Sequence, residues 1–207
     1  METRIAKTIS IVFSPLIIPT LGVLILFNVN TFIAQTIPLQ AKTFIILIIF
    51  INTAIVPLLA VLLMKRFGLI YDLLLYKRSE RLLPMIAAVF LYFFTYYILR
   101  QANVPSLLHF YFLGATFLVI ISLFITLKWK ISLHMVSMGG LTGLILSTAF
   151  LLRIDVTFLI ISTIIVSGLV GSSRLKLNSH TVSQVFAGYI LGVLLMLILY
   201  FIFRGVS

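Results

Sequence analysis

Residues 107–127 read LLHFYFLGATFLVIISLFITL, and Lys128, Trp129 and Lys130 follow directly. The run contains no Asp, Glu, Lys or Arg. As an α-helix it would be about 30 Å long, which matches the hydrocarbon core of a bilayer. A Trp between two Lys directly after such a run is typical of the headgroup region. The stretch therefore predicts a transmembrane helix.

Similar apolar runs fill most of the chain. The 207 residues are 62% hydrophobic with a mean hydropathy of +1.28, whereas soluble domains are about 45–50% apolar. We predict an all-α fold, a polytopic transmembrane helix bundle of six to seven spans that forms a single domain over residues 1–207. The predicted spans are 8–29, 43–64, 83–99, 107–127, 131–151, 156–172 and 181–203. Pro15 and Pro19 are expected to kink or break the first of them.

Two GxxxG pairs lie inside predicted spans. They are Gly139 with Gly143 and Gly188 with Gly192. Glycines at this spacing let helix backbones approach closely. The pairs predict close packing, either within the bundle or between chains, so the oligomeric state stays open.

The charge balance points to anionic partners in the membrane. The chain has 15 Lys and Arg against four Asp and Glu, and the cations stand between apolar runs. Lipid headgroups and phosphates are therefore the expected partners, and nucleic acid is not. With seven spans, 11 of the 15 cations fall on the N-terminal side, which is the pattern of a cytoplasmic face. A ligand held by some of these cations would produce the same pattern, so the orientation stays open.

Three polar clusters fall at helix ends on one predicted face. Since ionisable groups are costly near lipid, their convergence indicates a functional site. Arg, Lys, Ser and a helix N-terminus together suit a phosphate group. Asn178 or Ser179 is expected to cap the last helix, with His180 in its first turn. The clusters are Lys77-Arg78-Ser79-Glu80-Arg81, Ser132-Leu133-His134, and Ser173-Arg174 with Asn178-Ser179-His180 and Gln184.

Two histidines beside a bound phosphate suffice for phosphohistidine chemistry, in which one attacks phosphorus and the other protonates the leaving oxygen. We expect no cofactor and no metal. The four carboxylates are too few and too scattered for a di-metal centre. They belong to Glu2, Asp72, Glu80 and Asp155. His109, on the opposite face, is expected to be a packing residue.

The clusters resemble the motifs of the type 2 phosphatidic acid phosphatase superfamily. Ser173-Arg174, five residues and then His180 are similar to the signature SRxxxxxHxxxD. Residues 131–134, ISLH, stand in the place of PSGH, and residues 77–84, KRSERLLP, look like a loose form of KxxxxxxRP. The resemblance covers about residues 65–203. It differs from the family pattern at Gln184, where the family has Asp, and at Leu133, where it has Gly.

The resemblance implies a role for each matching residue. His180 would be the phosphoryl-accepting nucleophile, oriented by Gln184, and His134 the general acid. Phosphate oxygens would be bound by cations and a hydroxyl, with Arg78 and Arg81 competing for one position. These residues are Lys77, Arg78, Arg81, Ser132 and Arg174.

Two functions follow as hypotheses. The first is a metal-independent membrane phosphatase that acts on a lipid phosphate or an isoprenyl diphosphate. The alternative is a catalytically impaired relative that binds anionic lipid as a sensor, a scaffold or a component of a transport system. We expect an integral protein of a bacterial cytoplasmic membrane, with the side of the site left open.

Overall fold

The computed structural model describes residues 2–29, 31–72, 77–102 and 104–204, and the regular elements within these ranges are helices. Six helices are long and apolar enough to cross a membrane, which confirms the all-α polytopic fold. They are Leu39–Arg66, Ser79–Gln101, Ser106–Lys128, Leu133–Leu152, Thr157–Lys176 and Val182–Ile202.

Three shorter helices precede these spans: α1 (Thr3–Val12), α2 (Ile18–Asn28) and α3 (Phe32–Thr36). The first long helix joins α4 (Leu39–Phe50) to α5 (Val56–Arg66) through a π-helical segment at Ile51–Ile55. Pro57 has no N–H for the Thr53 carbonyl, which loosens the helical ladder at this point. After a 3₁₀ turn at Ser79–Arg81 follow α6 (Leu82–Gln101), α7 (Ser106–Lys128), α8 (Leu133–Leu152), α9 (Thr157–Lys176) and α10 (Val182–Arg204).

The predicted first span, 8–29, is broken between Val12 and Ile18, as its two prolines predicted. Pro15 cannot donate to the Ile11 carbonyl, and the Ser14 N–H bonds that carbonyl instead, at 3.2 Å. α1 therefore ends at Val12. Pro19 lies in the first turn of α2, where a missing N–H costs least. The 11 residues of α2 extend about 17 Å, too short to cross alone.

The backbone of this break contacts other spans, which supply it with donors. Tyr92 Oη of α6 donates to the Pro15 carbonyl at 3.4 Å. Tyr111 Oη of α7 donates to the Ile18 carbonyl at 3.3 Å. Irregular backbone at membrane depth is tolerated where protein groups satisfy it in this way. The break is therefore stabilised by hydrogen bonds from neighbouring helices.

Together, α1 and α2 cover the depth of the bundle. Ser10 of α1 lies beside the start of α8, where its carbonyl contacts His134. Pro15 lies beside Tyr92, in the middle of α6. At the other end, Asn28 and Asp155 line a cleft of about 520 Å³ beyond the end of α8. The segment thus forms a seventh, discontinuous pass, with its beginning on the face where α8 begins.

The most extensive helix contact is between α8 and α10, which run parallel. A Cβ on Gly139 would meet the Tyr189 carbonyl, and a Cβ on Gly192 would meet backbone atoms of Val136 and Gly140. Gly188 lies against the Ser132 carbonyl. The predicted glycine pairs therefore pack helices within one chain, and they bring the N-termini of α8 and α10 side by side.

We expect Gly192→Ala to destabilise the protein by about 1–3 kcal/mol, because the added methyl overlaps rigid backbone. Thermal unfolding in detergent measures this. Gly168→Ala in α9 is the matched control, since a Cβ there meets nothing within 4 Å. An equal melting temperature for the two variants would contradict the described packing.

Candidate functional site

Three segments converge at the beginnings of α8 and α10. Residues 128–132, between α7 and α8, are held from two sides. Arg81 Nη1 donates to the Ile131 carbonyl at 3.4 Å, and the Ser132 N–H donates to the Gln184 carbonyl at 3.4 Å. Arg78 donates to the Lys128 carbonyl. The three polar clusters of the sequence therefore come together at one end of the bundle.

His180 is buried in the segment that leads into α10. Its Nδ1 lies 3.0 Å from Gln184 Oε1, and the backbone N–H of Thr181 donates to the same oxygen at 3.2 Å. A backbone N–H can only donate, so the amide atom that it faces is the acceptor oxygen. Nδ1 of His180 must then carry the hydrogen, which leaves the lone pair of the neutral ring on Nε2.

The same contacts correct the expected cap of the last helix. α10 begins at Val182, so Thr181 is the N-cap residue and Gln184 occupies the third helical position, the arrangement of a capping box. His180 therefore precedes the helix instead of lying in its first turn. Asn178 is left-handed, with φ of 50°, and ends α9. The Ser179 hydroxyl donates weakly to the Leu177 carbonyl, at 3.5 Å.

The charges of three cations act on His180. Burial, followed by the charges of Arg81, Arg174 and Lys130, lowers the pKa of His180 to about 3, and the hydrogen bond with Gln184 opposes this shift. Burial and the same two arginines also lower the pKa of Lys130. His180 is therefore neutral at pH 7. Like charges held this close favour an anion between them.

His134, in the first turn of α8, contacts the broken first pass. Its Nε2 lies 3.0 Å from the Ser10 carbonyl. That carbonyl has lost its usual helical donor, because the Ser14 N–H bonds Ile11 instead. A carbonyl only accepts, so Nε2 of His134 carries a hydrogen. The charges of Arg174 and Arg81 and the ring of His180 lie within electrostatic range.

The N-terminus of α8 offers unused donors. Ser132 is its N-cap residue, but the side chain makes no capping bond. The hydroxyl is fully buried and has no hydrogen-bond partner among the described residues. The first N–H groups of a helix also have no partner within the helix. Together these groups form a place where an anion is favoured.

The first polar cluster is divided: Lys77 and Arg78 lie further from the histidines, whereas Arg81 lies near them. Lys77 and Arg78 are exposed, and Arg78 bonds the backbone of Lys128. Arg81 is buried, with 7% exposure, and its charge opposes the protonation of His180. Of the two competing arginines, Arg81 is thus the one that the structure places beside the histidines.

The sequence interpretation missed two site residues. Lys130 looked like a headgroup anchor, although its position two residues before Ser132 was a usable signal. Ser10 had no signal of its own, because its backbone carbonyl, freed by the break before Pro15, makes the contact. His109 was interpreted correctly. It bonds the Leu99 carbonyl at 2.9 Å, near the opposite face.

Comparisons of the chain with protein-family models, with curated proteins and with solved structures find no match. What the site does is therefore inferred from its own residues.

We expect acid to destabilise the wild-type protein more than it destabilises the His180→Gln variant. The unfolded chain takes up a proton on His180 near its ordinary pKa of about 6.5, whereas the folded protein has a pKa of about 3 there. The stability that depends on neutral His180 is present above pH 6.5 and is lost as the pH falls toward 3. Melting temperatures at pH 7 and pH 4.5 measure the difference. An identical pH dependence in both proteins would argue against a buried neutral ring.

Proposed function

We propose that this protein is an integral-membrane phosphatase that hydrolyses a lipid phosphate or an isoprenyl diphosphate through a phosphohistidine. The observation that carries the proposal is the state of His180. Its Nδ1 hydrogen is held by Gln184, which directs the lone pair of Nε2 away from the helix cap and leaves it available for attack. The positive charges of Arg81 and Arg174 act electrostatically on the same ring and would attract a phosphate.

The reaction has two steps. In the first, Nε2 of His180 attacks phosphorus, the bond from phosphorus to the lipid oxygen breaks, and His134 gives that oxygen a proton. In the second, His134 removes a proton from water, whose oxygen attacks phosphorus and breaks the bond to Nε2. Inorganic phosphate leaves and both histidines return to their initial states. The arginines, the Ser132 hydroxyl and the α8 N-terminus stabilise charge on the equatorial oxygens.

The contact with Ser10 limits how His134 can act. Because Nε2 faces the Ser10 carbonyl, the transferred proton has to travel through Nδ1. The charged imidazolium would then donate from both nitrogens, one to the main chain and one to the leaving oxygen. The dianionic substrate favours this charged form.

The location of the site suits an amphipathic substrate. The cations lie at the end of the bundle, next to apolar spans that meet lipid. A phosphate can therefore enter between helix ends while its acyl or prenyl tail remains in the bilayer. Since the charged group never has to enter hydrocarbon, this arrangement avoids the cost of burying it there.

We expect the purified protein in detergent to release phosphate from at least one lipid phosphate or isoprenyl diphosphate, and His180→Ala to abolish the release by removing the nucleophile. Colorimetric phosphate detection on a substrate panel measures both. His109→Gln is the matched control, because His109 also bonds a backbone carbonyl but lies near the opposite face. Equal turnover by wild type and His180→Ala would refute the mechanism.

A second function is favoured by one observation. The residue behind His180 is a neutral amide, which fixes the tautomer but cannot stabilise an imidazolium by charge, and loss of that term lowers rates by orders of magnitude in related triads. The protein would then bind anionic lipid without hydrolysing it. Lipid binding that His180→Ala leaves intact, with no turnover on the whole panel, would favour this alternative.

Gln184→Asp separates the two functions further. A carboxylate at this position can accept the Nδ1 hydrogen of His180, from a side chain one methylene shorter than that of Gln184, and would add the missing charge. We expect phosphate release to stay unchanged or to rise. A steady-state assay alongside the wild type measures this, and a large loss of rate would show that the amide itself is needed.

A further inference from the structure

The segment between α7 and α8, residues 128–132, is held by hydrogen bonds on both sides of Lys130. The Lys128 carbonyl accepts from Arg78, and the Ile131 carbonyl accepts from Arg81. Two residues after Lys130, the Ser132 N–H donates to α10. These bonds fix the backbone at Lys130 next to the two histidines.

The environment of Lys130 is unusual for a membrane anchor. Its neighbours Lys128 and Trp129 are exposed, whereas Lys130 is half-buried. Arg81 and Arg174 both act on its ammonium group, and Lys130 in turn acts on His180. An anchor lysine would extend toward headgroups and water. This one lies within reach of the charges of Arg81 and Arg174, and an anion between the three cations would offset their repulsion.

We propose that Lys130 binds the phosphate of the substrate, as a third cation beside Arg81 and Arg174. The motif resemblance gives a lysine role to Lys77, but Lys77 is exposed and the segment 128–132 places Lys130 at the histidines. The inference rests on the proposed function for its substrate. The binding of a phosphate by three cations is tested separately from hydrolysis.

Kinetics on a lipid phosphate test the proposal in an active protein. Loss of one charge-assisted bond to phosphate costs roughly 10- to 100-fold in binding, so Lys130→Met is expected to lower kcat/KM by that factor. Lys130→Arg should restore part of it, since a cation is retained. Lys128→Met is the matched control, because its exposed side chain belongs to the same segment. Lys77→Met tests the competing residue.

Phosphate binding is tested without turnover. Inorganic phosphate should raise the melting temperature of the wild type, and Lys130→Met should remove most of this increase while Lys128→Met keeps it. If no lipid is hydrolysed but this pattern holds, the proposed function fails and the role of Lys130 stands. If turnover is seen and Lys130→Met matches Lys128→Met in both assays, the role of Lys130 is overturned and the phosphatase stands. A loss confined to Lys77→Met would also overturn it.

Discussion

The parallel packing of α8 against α10 is the constraint on which the site depends. Gly139, Gly188 and Gly192 remove the side chains that would separate the two helices. As a result, two helix N-termini, each with a partial positive charge, lie next to one another. Parallel dipoles at this distance repel, and Arg81 and Arg174 add to the positive potential. A bound anion would relieve this repulsion, so the same close packing that stabilises the bundle also creates a place where an anion is favoured.

The two histidines are held by opposite kinds of contact. His180 is oriented locally, by the capping box at the start of α10, so the five residues 180–184 contain all the groups involved. His134 is oriented by Ser10, which is 124 residues away in the chain. The first contact depends on helix-cap chemistry alone. The second exists only when the broken first pass lies against α8, so the orientation of His134 depends on tertiary structure.

Hydropathy was enough to predict the long helices, because length and apolarity alone decide whether a segment suits a bilayer. The convergence of three polar clusters also followed from the alternation of spans. The half-buried position of Lys130 did not, because hydropathy cannot distinguish an exposed anchor lysine from one that is partly enclosed by the bundle. Arg78 and Arg81 were likewise indistinguishable, since the turn before α6 decides which of them faces His180. The prolines predicted a break, but not that the freed carbonyl would bond His134.

The broken first pass also has a consequence for biosynthesis. Its carbonyl groups at Pro15, Ile18 and Ser10 find their side-chain donors 77, 93 and 124 residues later. Until α6, α7 and α8 have been translated, these side-chain donors are missing, and the carbonyl groups of Ser10 and Pro15 have no helical N–H to replace them. The first pass therefore completes its packing only after these later spans are in place. In a chain that stops before α8, the Ser10 carbonyl lacks His134, so neither the contact of the first pass with α8 nor the candidate site can assemble.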